Sequence, residues 1–429
     1  MNDRSPYDLW KPVIGLEIHA QLSTRSKMFG PEPYVFGHEP NTDIGVVSTG
    51  QPGSLPVLNH EAVRLAVLFG LAIHANIARL SRFDRKSYFY PDAPKNFQIT
   101  QYDHPILSGG AIPCDVDGTL KHFAVHRAHL EEDSGMLKHF TNFSGIDYNR
   151  SGVPLLEIVS EPCMHSPSDA AAYAMMVRAI LQYIGACDGN MEEGSLRIDV
   201  NVSVQKKGET ALRKKAEIKN MNSFDNMKKA IQAEIDRQIH FYTTHPDGLF
   251  EGGTHRFDLE KNTTVLMRAK EEAADYRYFP EPDLPPLLLT EALIDEVRVS
   301  LPELPHDRYK RYIEKLGLPQ QPAEILIADK RLADYFEEGL AVGGNAKSLA
   351  NWITVEFLGR CKEKGTDLWT LKLPSAAVAE LVQCIDDGTI TGRIAKSVAD
   401  EMVEQPHKKP RELIAANPDY QPVSDEGAI

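Results

Sequence analysis

Carboxylates and imidazoles recur at alternate positions of several short extended segments in this chain. In "VIGLEIHAQL", residues 13–22, Ile14, Leu16, Ile18, Ala20 and Leu22 alternate with Gly15, Glu17, His19 and Gln21. Read with the two-residue period of a β-strand, the apolar set takes one face, and Glu17 and His19 share the other. The pattern returns in "SLRIDVNVSV", residues 195–204, where Ser195, Arg197, Asp199, Asn201 and Ser203 oppose five aliphatic residues. "LLEIVSEP" sets Glu157, Val159 and Glu161 on one side, and "AEIKN" pairs Glu217 with Lys219. Denser acidic runs lie in the same part of the chain: Glu131, Glu132 and Asp133 in "HLEEDSG", and Glu192 and Glu193 in "MEEGSLR". Carboxylates gathered this closely repel one another unless cations neutralise them. Their hard oxygens suit Mg²⁺ or Mn²⁺, and Mg²⁺ commonly arrives holding substrate phosphates. Each segment alone also reads as the solvated face of an antiparallel sheet. Together they point to an acidic, metal-binding concavity.

Basic residues supply the complementary half. "LMRAKEEAADYRYFPEPD" places Arg268, Lys270 and Arg277 beside Tyr276 and Tyr278. With Lys219 and Arg197 they form a set able to grip phosphates, although ion pairs with Glu271, Glu272 and Asp275 account for the same spacing. Residues 205–230 hold eight basic and three acidic residues, in a chain whose net charge is −14. That stretch reads either as a phosphate-facing surface or as a solvated turn and helix. There is no G-x-x-x-x-G-K-[ST] loop, no G-x-G-x-x-G after a strand, and no recognisable serine or cysteine nucleophile motif. Use of ATP would therefore rest on an unusual nucleotide site.

The elements that must position these residues are legible in outline. Up to about residue 290, short alternating segments separated by Pro/Gly/Asn/Asp turns indicate a β-rich region. Helical spacing interrupts it at 61–79, at 168–185 behind Ser166 and Pro167, and from Ser223 to about Tyr242, with Ile231, Ile235 and Ile239 on one face. The proline-rich "YFPEPDLPPLLLT", residues 278–290, marks a boundary. Beyond it the apolar period is helical. The fold class expected is α+β: a mixed, β-rich domain over 1–292, an all-α domain over 293–406, and a stretch over 407–429 that is too short for a domain of its own and reads as a truncated or frayed end. With 429 residues, 42% apolar and 25% charged, the composition is that of a globular protein of two or three domains. The five cysteines lie far apart, no apolar run is long enough to span a bilayer, and the N-terminal residues resemble neither a signal nor a transit peptide. A cytoplasmic protein without a membrane partner is expected.

"VIGLEIHAQLSTRSKMF", "FDRKSYFYPDAPKNFQITQYD", "HLEEDSG", "NRSGVPLLEIVSEP", "MEEGSLRIDVNVSV", "AEIKNMNSF" and "RAKEEAADYRYFPEPDLPPL" together resemble the B subunits of tRNA-dependent amidotransferases, the GatB family. The resemblance runs in unbroken order through residues 10–290 and, more loosely, through the helical region. It implies a cradle-shaped catalytic domain, a helical domain, and a heterotrimer with two partners, the amidase (the A subunit) and the small C subunit. It also implies ATP-dependent phosphorylation of the side-chain carboxylate of Glu-tRNA(Gln) or Asp-tRNA(Asn), followed by amidation with ammonia from the amidase. An alternative is a tRNA-docking and assembly module with no chemistry of its own; a third is a ligase acting on a free amino acid. Carried over by motif, Glu17, His19 and Glu132 are first choices around the metal, with Glu131, Glu157, Glu192 and Glu193 as further ligands. Lys219, Asn220, Asn222, Arg268, Lys270 and Arg277, with Arg197, are expected at the ATP phosphates and the transition state. Many members carry Cys-x-x-Cys where this chain has Gly45 and Ser48, so no structural zinc is expected there. Members also continue into a helical tail that contacts tRNA, most of which would lie beyond Ile429.

Overall fold

A computed structural model describes residues 8–219, 221–246, 248–269 and 275–420. The chain forms two compact units that divide between Pro302 and Glu303. The first unit begins with β1 (Trp10–Gln21), α1 (His60–Ala72), β2 (Asn76–Ile77), β3 (Leu80–Ser81), β4 (Asp84–Ser87), β5 (Phe97–Thr100), β6 (Leu107–Ser108) and β7 (Ala111–Val116). It continues with β8 (Thr119–Glu132), β9 (Met136–His139), β10 (Ser144–Asp147), β11 (Pro154–Ser160), α2 (Pro167–Tyr183), β12 (Leu196–Lys206) and β13 (Ala216–Ile218). It closes with α3 (Phe224–Thr244), β14 (Gly253–Asp258), β15 (Thr263–Ala269), β16 (Phe279–Pro280), β17 (Leu287–Leu288) and α4 (Glu291–Val299).

Ten of these strands make one mixed sheet, ordered β15-β14-β13-β12-β1-β11-β8-β6-β2, with β7 added against β8. Its pairings are antiparallel except for β13 with β14. The even-numbered residues of β1 and β12 form the apolar face: Ile14, Leu16, Ile18, Leu196, Ile198, Val200 and Val202 are buried, with Leu156 and Ile158 of β11. Helices α2 and α3 pack on each other and on this sheet, α2 against β1 and β7 and α3 against β12. Each aliphatic side chain removed from water there contributes about 1.5–3 kcal/mol before entropy is counted.

The helix starts follow the sequence chemistry. Ser166 Oγ accepts from Asp169 N at 3.0 Å at the head of α2, with Pro167 in the first turn. Ser223 Oγ accepts from Asn226 N at 3.2 Å at the head of α3, whose Ile231, Ile235 and Ile239 are buried. The helix expected over 61–79 is shorter. α1 ends at Ala72 because His74 takes a left-handed φ of 55° and Ala75 N turns back to Gly70 O at 2.9 Å. Asn76 and Ile77 then join the sheet as β2, opposite Ser108 and Leu107.

The second unit contains α5 (Pro305–Glu314), α6 (Gln320–Ile327), α7 (Lys330–Val342), α8 (Ala346–Asn351), a π-helical turn at Trp352–Phe357 and α9 (Leu358–Glu363). After these come α10 (Leu368–Leu371), α11 (Ser375–Asp386), α12 (Gly392–Glu404) and α13 (Pro410–Ala416). No strand occurs among its described residues. α4, which the sequence reading assigns to the helical domain, packs on α1 within the first unit. α13 packs on α11 and α12, so residues 410–416 are part of the helical unit. No described helix is long and apolar enough to cross a membrane.

Candidate active site

Strand register brings together residues that are far apart in sequence. His19 of β1 lies between Arg197 of β12 and Glu157 of β11, and Glu157 in turn lies opposite His129 of β8. One step along, Glu17 is flanked by Asp199 and Val159; one step the other way, Leu155 separates Gln21 from Glu131. Residues directly across a sheet share a face. All these polar groups therefore emerge on the side opposite the buried Ile18–Ile158–Ile198 layer. Of these, Glu17, His19, Glu131, Glu157, Arg197 and Asp199 line a cavity of about 550 Å³ together with Lys86, Lys95, Glu132, Asp133 and Lys219.

Two carboxylate–imidazole groupings overlap in its floor. His19 Nε2 lies 3.4 Å from Glu157 Oε2, 3.6 Å from Glu17 Oε1 and 3.8 Å from Glu131 Oε1. His129 Nε2 lies 3.5 Å from Glu157 Oε2 and 3.6 Å from Glu131 Oε2. Glu157 belongs to both. Burial pushes the His19 imidazole down, but the hydrogen bond to Glu157 and the charges of Glu157, Glu131 and Glu17 outweigh it and hold its pKa up at about 9. Burial raises the Glu157 carboxyl, yet His129 and His19 bring it well below the usual carboxylate range. Glu17 goes the other way: burial and then the Glu157 charge raise it. The Nδ1 atom of His129 is buried without a hydrogen-bond partner. Among the described residues, Glu17–His19–Glu157 and His129–Glu131–Glu157 are groups whose ligand atoms lie within 4.8 Å of one another. This oxygen-rich donor set, crowded with negative charge, fits a hard divalent cation.

The walls carry cations, most of them already paired. Lys95 Nζ binds Glu132 Oε1, which also accepts from Ile99 N at 3.0 Å. Arg197 Nη2 donates to Asp133 Oδ2 at 2.7 Å, and burial notwithstanding, Asp133 holds the guanidinium firmly charged. Lys219 Nζ donates to Asp199 Oδ2 at 3.0 Å and lies 3.3 Å from Glu217 Oε1; burial opposes its charge, and these two carboxylates raise its pKa regardless.

The model for the GatB/GatE catalytic domain matches residues 12–295, and the GatB domain model matches residues 334–429. A curated relative from Protochlamydia amoebophila, the B subunit of its aspartyl/glutamyl-tRNA(Asn/Gln) amidotransferase, is 60% identical over 98% of this chain and 86% of its own length. The B subunits of the same name from Chlamydia pneumoniae and Chlamydia trachomatis serovar L2 are 55% and 54% identical, over 99% and 98% of this chain and 88% and 87% of theirs. The chain belongs to the GatB family. It is thus a ligase-class component of a tRNA-dependent amidotransferase, a family that uses ATP, and the acidic cavity lies in the part matched by the catalytic model.

Within this GatB chain, Glu17, His19, Glu131, Glu132, Glu157, Arg197, Lys219 and Asn222 come together around one cavity. Glu192 and Glu193 do not. They sit on an exposed turn whose amides donate to Asn190 Oδ1 at 3.0 and 3.2 Å, and neither lines the cavity. Arg277 is 72% exposed and faces Asp275 at 3.5 Å. Arg268 stands on β15 opposite Thr254, while Asn220 and Lys270 lie outside the described residues. The basic stretch 205–230 does not form one surface: Arg213 pairs with Glu209 and lies over Trp10 and Tyr242, whereas Lys219 turns into the cavity. Sequence reasoning missed His129, Lys86 and Lys95 as site residues, and read Asp133 and Asp199 as part of the acidic segments without giving either a role. His129 keeps the odd-numbered phase of Glu131 and Asp133 in "HLEED", and extending the alternation back by two residues would have found it. Lys86 and Lys95 sit in a turn-rich segment with no periodic signal.

Proposed function

We propose that this cavity phosphorylates the side-chain carboxylate of glutamate or aspartate esterified to tRNA, at the expense of ATP, and then amidates it. A carboxylate is a poor acceptor for ammonia because its leaving group would be oxide. In the first step a carboxylate oxygen of the aminoacyl group attacks the γ-phosphorus, the bond to the bridging oxygen breaks, and ADP departs. In the second, the ammonia lone pair attacks the acyl carbon, the C–O bond to phosphate breaks, and the nitrogen sheds its extra proton to the surroundings. Glu17, His19, Glu131 and Glu157, with His129, would hold Mg²⁺, which when bound neutralises phosphate charge. Arg197 and Lys219, kept charged by Asp133 and Asp199, orient the anionic groups, so that the contribution of these side chains is positioning and electrostatic stabilisation.

The observation that carries this reading is the pair of carboxylate–imidazole groupings sharing Glu157 at the floor of a cavity walled by cations. With no amidase nucleophile motif in the chain, ammonia comes from a partner, the amidase, assembled with this chain and a small third protein in a cytoplasmic heterotrimer. The segment at Gly45 and Ser48 takes no zinc in this reading: Ser48 Oγ donates to Glu32 Oε1 at 2.5 Å where a thiolate set would be needed.

The test is phosphoryl transfer in an assembled enzyme whose amidase has been inactivated. With ATP, Mg²⁺, misacylated tRNA and hydroxylamine, the activated carboxylate should be trapped as the hydroxamate. Trapping that requires an active amidase, or that persists unchanged in Glu157→Ala, would overturn the reading in favour of a docking module. Trapping with free glutamate and no tRNA would point to a ligase of free amino acids.

A further inference from the structure

Residues 22–59, between β1 and α1, form neither helix nor strand, so something other than a backbone ladder must hold them in place. Two loops of this stretch, 27–32 and 43–51, meet at the carboxylate of Glu32. Ser48, itself buried, donates from Oγ to Glu32 Oε1 at 2.5 Å. A β-carbon built on Gly30 would lie 2.5 Å from Glu32 Oε2, and one built on Gly45 would collide with all three atoms of the same carboxyl group. Neither glycine has a left-handed φ, so these positions supply room for the carboxylate rather than backbone freedom. Lys27 adds a second tie between the loops: 1% exposed, it donates from Nζ to Asp43 O at 2.6 Å.

The point on which these residues converge does not suit a structural metal. No cysteine occurs in residues 22–59, and among the described residues neither carboxylate–imidazole grouping includes Glu32 or Ser48. Thiolates at positions 45 and 48, as in family members with Cys-x-x-Cys there, would point into the space that the Glu32 carboxylate fills in this chain. The same loops underlie the edge of the acidic cavity. Ser151 Oγ donates to Ser48 O at 3.0 Å, and Met28 N donates to Gly152 O at 2.8 Å. Gly50, with a φ of 67°, packs on Lys95, where a β-carbon would lie 2.9 Å from Lys95 Cγ. Ser151 and Lys95 both line the cavity, and Lys95 holds Glu132 there.

We propose that Glu32 is a metal-free clasp and a positioning residue: its carboxylate ties the 27–32 loop to the 45–51 turn, and that turn seats Lys95 against Glu132 at the cavity edge. Glu32 does not itself line the cavity, so it acts through Lys95. The clasp stands on geometry alone, whereas the positioning role rests on the function proposed above.

The test is a pair of double-mutant cycles in the assembled enzyme. Glu32→Ala and Gly45→Ala should each lower the melting temperature by roughly 2–6 °C, the loss of a buried hydrogen bond in a chain of this size. The double variant should melt where Glu32→Ala does, because trimming the carboxylate makes room for the alanine. In Glu32→Gln, whose amide fills the same space, Gly45→Ala should still be costly, and this pair serves if Glu32→Ala does not fold. Losses that add, or a Gly45→Ala protein that melts like wild type, would overturn the clasp. A zinc-selective chelator, given with excess Mg²⁺, should leave wild-type melting unchanged; a fall of several degrees would mean that a metal closes the segment, and the clasp would fail. Hydroxamate trapping, run below the melting temperature of every variant, reads the positioning role. Glu32→Ala and Lys95→Met should each lower kcat roughly tenfold, and Glu32→Ala should cost nothing further in the Lys95→Met enzyme. Additive losses of kcat, or a wild-type kcat in either single variant, would overturn that role. If the wild-type enzyme traps no hydroxamate, the proposed function fails, while the melting cycle still decides the clasp.

Discussion

Glu157 is the carboxylate common to both ligand groupings, and its replacement should be the most damaging single change in the cavity. Glu157→Gln keeps the shape and removes the charge. Phosphoryl transfer is expected to fall by roughly 10²- to 10³-fold, and Mn²⁺ binding, read by electron paramagnetic resonance, by about tenfold or more. Glu192→Ala and Glu193→Ala, on the exposed turn away from the floor, should leave both quantities within about twofold. This contrast separates what alternation in sequence can reveal from what it cannot. Glu17, His19, Glu157 and Arg197 were legible because a period of two assigns side chains to faces before any partner strand is known. Glu192 and Glu193 were misleading because adjacent acids in a turn carry no facial information. The placement of Glu132 against Lys95 was invisible, since the two meet across a loop whose geometry no local pattern encodes.

At the scale of elements, α3 ties the sheet together through buried charge. Glu234 is fully buried and accepts from Arg237 Nε at 2.9 Å, Arg237 Nη2 at 2.7 Å, Gln238 Nε2 at 2.7 Å and Thr264 Oγ1 at 2.6 Å. Arg237 Nη2 also lies 3.2 Å from His255 Nε2, and the opposite nitrogen, Nδ1, lies 3.1 Å from Gly253 O, which suits a neutral ring carrying its proton on Nδ1. The backbone oxygen of His255 accepts from Lys219 N at 3.0 Å, so this cluster braces the strand end that carries a cavity residue. Glu234→Ala should therefore destabilise the chain by about 2–4 kcal/mol in chemical denaturation, because it removes the buried acceptor shared by Arg237, Gln238 and Thr264. Ser166→Ala, which removes only a helix cap, should cost about 1 kcal/mol. The helices themselves were readable from caps and apolar spacing. The Glu234 cluster was not, because Thr264 and His255 are contributed by strands that follow the helix. The overlong expectation for α1 has a related cause: apolar spacing continues through Ile73 and Ile77, but tertiary pairing with Leu107 and Ser108 takes Asn76 and Ile77 for the sheet.

For the molecule as a whole, acid sensitivity gains a separate contribution from the helical unit. Glu337 Oε1 accepts from Arg308 Nε at 2.8 Å, Arg311 Nη2 at 2.5 Å and Tyr312 OH at 2.9 Å. Burial raises this carboxyl, but the three donors outweigh it and hold its pKa at about 2. Its folded pKa lies below the ordinary value of 4.5, so the folded state binds fewer protons between the two. The resulting stability is fully present above pH ~4.5 and is lost as pH falls toward ~2. Glu337→Gln should lower the melting temperature at pH 7, and the gap to wild type should narrow steadily from pH ~5 to ~3. A gap that stays constant with pH would mean that the carboxylate charge does no stabilising work there. The division into a β-rich unit and a helical unit was legible because the apolar period changes from two to 3.6 after the proline-rich stretch. Where α4 belongs was not, since a helix period does not say which neighbour the helix packs on.

Strand β1 is translated before the other described strands, yet it lies in the interior of the sheet between β11 and β12. Its neighbours on the two sides arrive only with residues 154–160 and 196–206. On the ribosome, then, residues 10–21 leave the exit tunnel long before either partner exists, with both strand edges unpaired and Ile14, Leu16 and Ile18 without a core. Pairings so distant in sequence make folding slow and leave the nascent strand exposed to association with other chains. The alternating Glu17 and His19 keep one face of that waiting strand polar, so the residues assigned here to chemistry also keep the first strand from being apolar on both faces while it waits for its neighbours.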